Sequence, residues 1–320
     1  MALLGVELVR EIALELRSAV LPLLGAHAAR EPADDPLAAG GDVTFGIDEH
    51  AERVLEAFLG ARAPDIAYYS EDRGLVAPAG AEEVLVVDPV DGTRPALAGL
   101  ESCCVSVAAA PLREEPRMGD VRIACVVEIP SGAVFLAERG KGLLESPPVH
   151  FSANTELDRM FWTFGFRGRP ARPLVAMLGD LIDASSVRGG TFDLGSACFD
   201  VTRVITGQLD AYVEPGPLLL ELPGMREEFE RVGHGSVLNN APYDLAAAVL
   251  CATEAGAVVT DARGAPLEDR PLLGSGPDFQ MSILACANAA LHERILEAVA
   301  AGLARVAADT SAPAARLRGP

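Results

Sequence analysis

The stretch "VLVVDPVDGTRPALAG", residues 84–99, decides how this chain is read. Val84 to Val87 read as a buried strand that Asp88 ends, and Asp91 follows three positions later with Gly-Thr directly behind it. Pro89 restricts φ, Val90 exposes a carbonyl as the chain turns, and Asp91 then comes back to the side of Asp88. Gly92 permits a close backbone approach. If a helix starts here, the amides of Gly92 and Thr93 point above the strand end, which suits an oxyanion. Pro95 then falls in the first turn, where its missing N–H costs little. Hard oxygen ligands beside amides suit Mg2+ and phosphate better than zinc. A plain turn with solvated carboxylates uses the same residue types, so the rest of the chain has to decide. The D-x-x-D spacing also separates this stretch from the D-x-D of phosphatases with an aspartyl nucleophile.

The composition narrows the classes. At 320 residues the chain is one large domain or two ordinary ones, with room for a sizeable core. A net charge of −20 argues against general affinity for nucleic acid or an anionic membrane, because the phosphate-binding term needs a basic surface. A metal ion can invert that logic locally and let an acidic chain hold a phosphate ester. Six cysteines (Cys103, Cys104, Cys125, Cys198, Cys251, Cys286) lie inside apolar runs without metal-type spacing and read as reduced core thiols. The N-terminus is amphipathic, with Glu7, Arg10, Glu11 and Glu15, so it reads as neither a signal peptide nor a membrane span. The expected compartment is the cytoplasm.

The spacing of apolar residues predicts a helix over 3–24, a loop to Asp42 and a helix from Asp48 to about Ala61. Strands follow at 66–70, 84–87, 103–110, 121–129 and 133–138, the last two joined by a turn at Pro130-Ser131-Gly132. The pattern breaks near residue 148, which divides the chain into an N-terminal α+β domain, 1–148, and a C-terminal α/β domain, 149–306. In the second half strands at 161–166, 185–190, 210–214, 257–260 and 282–287 alternate with helices at 171–183, 195–207, 244–255 and 289–303. The tail, 307–320, is low in large apolar residues and reads as disordered.

Three more stretches bear on the carboxylates. "YYSEDRG" sets Glu71 and Asp72 just after a strand, "GDVTFGIDEHAE" sets Thr44 and Asp48 at the mouth of a helix, and "APYDLAAAV" sets Asp244 at a helix start. Each has a local explanation, since aspartate is a preferred helix cap. Together with "RGKG", "GSACFDVTRVITGQLDAYVE" and "EAGAVVTDARG", in this order, the chain resembles the inositol monophosphatase superfamily of Mg2+-dependent, lithium-sensitive phosphatases. The form G-D-x-T-x-x-x-D is similar to the archaeal-type inositol monophosphatase/fructose-1,6-bisphosphatase branch. The resemblance implies a layered αβαβα sandwich, metal-activated water attack on a phosphate monoester of a small metabolite (an inositol phosphate, a sugar phosphate or bisphosphate, or a nucleotide), two Mg2+ ions with a weaker third allowed, inhibition by Li+, and a homodimer.

Carried over by position, the resemblance gives each residue a role. Glu71, Asp88 and the Val90 carbonyl hold one metal, Asp88, Asp91 and Asp244 the second, with Asp91 bridging. Thr93, backed by Asp48, orients and helps deprotonate the attacking water, and Glu71 belongs to the same catalytic group. The amides of Gly92 and Thr93 bind phosphate, Glu214 contacts a substrate hydroxyl, and Ser196 and Ala197 line the same pocket. Two cations can clamp the attacking and leaving oxygens without a covalent phosphoenzyme.

The chain also departs from the family pattern. Arg94-Pro95-Ala96 replaces the usual x-Asn-aromatic after DGT, Asp72 replaces the second acid of a Glu-Glu pair, and Tyr243 stands where a Trp usually precedes the distal aspartate. An insertion spans 215–243, read as a lid or specificity element or else a surface excursion, and His234 within it reads as a solvated loop residue. The changed segment after DGT keeps a second function class open: a catalytically weak member that binds a phosphometabolite or acts as a regulatory protein.

Overall fold

The computed structural model describes residues 4–26, 30–37 and 41–311. Its frame is two sheets. The larger has seven strands in the order 74–76, 67–70, 83–91, 104–111, 123–128, 134–138 and 142–145. Only the pair 67–70 and 83–91 is parallel; the remaining neighbours run antiparallel. The smaller has five strands in the order 190–192, 161–163, 211–214, 283–286 and 258–260, with a parallel half and an antiparallel half. A further pairing joins Pro32–Leu37 to Val43–Phe45.

Period-2 alternation builds the layers. On one face of the large sheet Leu85, Val87, Val105, Val107, Cys125 and Val127 pack against Ile12 and Leu16 of helix Val6–Val20 and Leu55 of helix Gly46–Arg62. The opposite face, with Val84, Val86, Ala108, Val126 and Phe135, packs on helices Ala197–Ile205 and Pro242–Ala255, and Tyr212, Ile283 and Ala285 of the small sheet close that core from beyond. The outer face of the small sheet, with Trp162, Val213 and Leu284, is covered by Leu174 and Leu178 of helix Ala171–Ser185 and Leu291 and Ile295 of helix Ala289–Ser311. The result is an αβαβα sandwich whose middle layer, two helices from the second half of the chain, lies between the large sheet of the first half and the small sheet of the second.

Several local expectations are corrected. The segment before Asp42 holds the strand Pro32–Leu37 rather than loop alone, because its backbone pairs with Val43–Phe45. "SSVRGG" is not a strand: Ser185 continues the preceding helix, its hydroxyl donating to the Leu181 carbonyl at 2.8 Å, and the strand begins at Gly190. The closing helix runs to Ser311, past its expected end at 303 and into 307–311 of the tail expected to be disordered, since Val306 is buried in the outer core and carries the helix onward. The expected disorder of 312–320 lies outside the described residues. The insertion is no surface excursion. Two short helices, Gly216–Leu219 and Met225–Val232, bury Leu218, Leu219, Met225 and Phe229 in the outer core. His234 at its turn is exposed, with φ 54°.

Candidate active site

A strand of period 2 sends residues three apart to opposite faces. Between Asp88 and Asp91 the pairing with strand 104–111 shifts register at Pro89-Val90, and this irregularity turns Asp91 toward Asp88. Asp88, Asp91 and Asp244 each bring a carboxylate oxygen within 4.8 Å of the others. Gly92 then turns the chain at φ 87°, and a Cβ there would stand 2.6 Å from the Ser102 carbonyl oxygen and 2.8 Å from Ser196 Cβ. Only glycine fits that turn.

Two helix starts supply further carboxylates. Asp48 and Asp244 both sit at the third position of a helix, where one oxygen accepts from the backbone N–H before the first turn: Phe45 at 2.8 Å and Ala241 at 2.6 Å. Neither is the N-cap itself, which is Phe45 or Ala241; each supplies the returning half of a capping box, and each carboxylate lines the cleft as well. Asp48 Oδ1 stands 3.0 Å from Thr93 Oγ1, which also lies 3.1 Å from the Val90 carbonyl. A single hydroxyl proton serves one of these acceptors at a time.

Asp91 is held from behind. Its Oδ2 accepts from Ser196 Oγ and from the Cys198 amide, each at 2.6 Å, while Ser196 Oγ accepts from the Phe199 amide at 3.1 Å as cap of helix Ala197–Ile205. The carboxylates charge one another unfavourably. Burial first, then neighbouring carboxylates, push Glu71 and Asp88 well above the usual range. Burial also raises Asp91, against the Ser196 and Cys198 hydrogen bonds, and raises Asp48 to about 7.

Each position expected at the site can now be located. Glu71, Asp88, Val90, Asp91 and Asp244 line one narrow cleft together with Asp48, Gly92 and Thr93. Ser196 and Ala197 line an adjoining cavity that shares Asp91 and Asp244 with it. Glu214 is fully buried behind Arg169, with its Oε2 3.1 Å from that guanidinium and its Oε1 accepting the Gly216 amide at 2.9 Å. Tyr243 stacks on Tyr69 with ring centres 6.4 Å apart, filling the place of the larger indole. Pro95 packs toward Gly195, where an added Cβ would stand 3.0 Å from Pro95 Cγ. A larger cavity, about 630 Å3, lies between residues 169–173 and the insertion helix, and its one carboxylate, Glu228, is already paired with Arg231.

Other residues at the cleft escaped the sequence reading. Arg167 and Arg169 come from "FRGRP" after strand 161–163, Asp42 precedes Val43, and Leu238 and Asn239 come from the end of the insertion. Arg169 also donates to Asn240 Oδ1 at 3.1 Å. A doubled arginine around a glycine at a strand end was the one signal available.

Buried acid groups converge at strand and helix ends of this five-layered sandwich, an all-oxygen set suited to a hard cation. The inositol monophosphatase family's sequence profile matches residues 6–304, and the chain belongs to that family. The fructose-1,6-bisphosphatase/inositol-1-monophosphatase of Methanothermobacter thermautotrophicus is 27% identical over 88% of this chain and 92% of its own length. The putative Nus factor SuhB of Neisseria meningitidis serogroup B is also 27% identical, over 76% of this chain and 83% of its own. The solved suhB extragenic suppressor protein of Bartonella henselae superposes with a TM-score of 0.67 at 20% identity, covering 92% of this chain and 98% of that one. A Thermotoga maritima inositol monophosphatase gives 0.65 at 19%, covering 92% and 96%. The expected sandwich and the enzyme class, a phosphoric monoester hydrolase, stand with these likenesses. No helix among the described residues is long and apolar enough to cross a membrane.

Proposed function

We propose that the chain hydrolyses a phosphate monoester of a small metabolite with the help of two Mg2+ ions, a third binding more weakly. The observation that carries this is the convergence of Asp88, Asp91 and Asp244 beside the Thr93–Asp48 pair. The donor set fits the ion. All its atoms are oxygens, which Mg2+ prefers, and the mutual repulsion of the buried carboxylates favours a cation among them. Glu71, Asp88 and the Val90 carbonyl would hold one ion, and Asp88, Asp91 and Asp244 the other. When bound, such ions neutralise phosphate charge and acidify water.

The chain's own groups do the rest. Thr93 orients the attacking water through its hydroxyl, and Asp48 receives the proton that Thr93 passes on. The amides of Gly92 and Thr93 take the phosphate oxygens. Ser196 and Cys198 keep Asp91 turned into the cleft. Arg169, fixed by Glu214, presents its positive charge to the adjoining cavity, so Glu214 acts on substrate through Arg169.

Li+ inhibition, a homodimer and a cytoplasmic location belong to the same proposal; the six cysteines, all buried and unpaired, fit a reducing compartment. The relatives named as Nus factors favour a second reading, a regulatory or binding protein with weak catalysis. Phosphate release from inositol 1-phosphate, fructose 1,6-bisphosphate, adenosine 3′,5′-bisphosphate and histidinol phosphate, with and without Mg2+, separates the two. Mg2+-dependent release that Asp91→Asn abolishes supports hydrolysis. Calorimetric Mg2+ binding with no release from any ester supports the second reading.

A further inference from the structure

The mouth of the cleft carries a charge arrangement that hydrolysis itself does not use. Arg94 follows the carboxylate strand of the large sheet, and Arg167 follows strand 161–163 of the small one, yet both end on Asp42. Arg94 grips it as a fork, Nη2 to Oδ1 at 3.1 Å and Nη1 to Oδ2 at 3.4 Å, while Arg167 Nη1 pairs with Oδ2. The Val43 amide donates to Oδ1 at 2.8 Å. The Arg94 guanidinium lies 5.6 Å over the Phe45 ring, which fixes its orientation.

Exposure is divided unevenly among the three. The Asp42 side chain is 12% exposed, against 41% for Arg94 and 44% for Arg167. The carboxylate is thus covered by its arginines, whose outer faces stay open to solvent. Burial opposes charge on Asp42, but Arg167 and Arg94 outweigh it and hold the carboxyl below its ordinary value. Asp42 and Arg167 line the same cavity as Glu71 and Asp244, so whatever sits on the arginines is next to the reacting phosphate. Arg167 also faces Glu71 and Asp244. With those carboxylates engaged by metal, two guanidinium groups on Asp42 would leave an excess positive charge, and their planar forks match a second carboxylate or phosphate.

We propose that Arg94 and Arg167 form a subsite for a second, non-reacting anionic group of the ligand, and that Asp42 fills this subsite in the free protein as a built-in competitor. The proposal rests on the phosphatase reading of the neighbouring carboxylates. Ligand entry exchanges one carboxylate for another anion, so the arginines are never left unpaired, and the Asp42 side chain turns aside. The favoured ligands are phosphate monoesters that bear a further phosphate or carboxylate. Esters of neutral alcohols bind without displacing Asp42 and gain nothing from the arginines.

The test uses matched esters: fructose 1,6-bisphosphate against fructose 1-phosphate, and 3-phosphoglycerate against glycerol 3-phosphate. The Mg2+-loaded native chain is compared with Arg94→Gln, Arg167→Gln and Asp42→Asn. Each arginine variant is expected to lower the preference for the doubly anionic member by about tenfold in KM, the size of one charge-assisted pair, with kcat moving less. Asp42→Asn is expected to raise that preference, because the competitor loses its charge. A response in either pair supports the subsite and names its anion; an unchanged preference in both pairs, across all three variants, overturns it. Calorimetric binding of the same esters reads the preference without turnover. Absent hydrolysis with a preserved binding preference therefore sinks the phosphatase reading and leaves the subsite standing.

Discussion

Ser196 performs two tasks with one oxygen, and removing it separates them. The hydroxyl donates to Asp91 Oδ2 at 2.6 Å and accepts from the Phe199 amide at 3.1 Å. Ser196→Ala loses the helix cap, which costs about 1 kcal/mol of stability. It also removes a hydrogen bond that favours the charged form of Asp91. The Cys198 amide still holds the same oxygen at 2.6 Å, so the carboxylate stays in place with half of its support. Removing a partner that orients a metal ligand costs roughly 10- to 100-fold in affinity, and the surviving amide puts this case near the lower end. Mg2+ affinity should therefore fall about tenfold, equivalent to about 1.4 kcal/mol. Calorimetric Mg2+ titration beside urea unfolding measures both quantities. A variant destabilised by about 1 kcal/mol whose Mg2+ affinity stays within about twofold of native would show that the hydroxyl only caps the helix, and the account of Asp91 would be wrong.

Two further outcomes are expected. Phe229→Ala should destabilise the chain by about 3–5 kcal/mol in urea unfolding, since the ring is fully buried in the outer core; a loss below about 1 kcal/mol would return the insertion to a surface excursion. Glu52 is fully buried, and burial raises it from 4.5 to about 7 against the opposing pull of Ser70. An acid raised on folding contributes stability that is complete below its unfolded value and lost as pH rises through the folded one. The melting temperature of the metal-free chain should accordingly fall between about pH 4.5 and about pH 7, the unfolded and folded values, and Glu52→Gln should flatten the fall. An identical slope in the variant would refute the assignment to Glu52.

Much of this arrangement is legible in the chain itself, for identifiable reasons. "DPVDGT" combines a strand end, a restricted φ and an obligatory glycine, and those local constraints survive any packing. Asp48 and Asp244 are visible because helix starts announce themselves. The register shift at Pro89-Val90 that brings Asp91 round to Asp88 depends on the neighbouring strand 104–111, which no local pattern reveals. Arg167 and Arg169 were hidden because arginine is ordinarily a surface residue. Their significance arises only when the small sheet brings "FRGRP" over carboxylates from the large one. The insertion stays open between lid and surface excursion in the sequence, because nothing in the charged run "MREEFERV" announces that Met225 and Phe229 share the inner side of one short helix.

The middle layer of the sandwich has a consequence for synthesis. Asp91 meets its Cys198 partner 107 positions further along, and Asp244 arrives later still on the helix wedged between the sheets. A nascent chain that has completed only the large sheet displays Asp88 and Asp91 without the third acid or the amide that steadies them. Of the two proposed ions, the one assigned to Asp88, Asp91 and Asp244 must wait for translation to pass the Asp244 helix and for that helix to dock, so the half-made protein emerges from the ribosome with its centre incomplete.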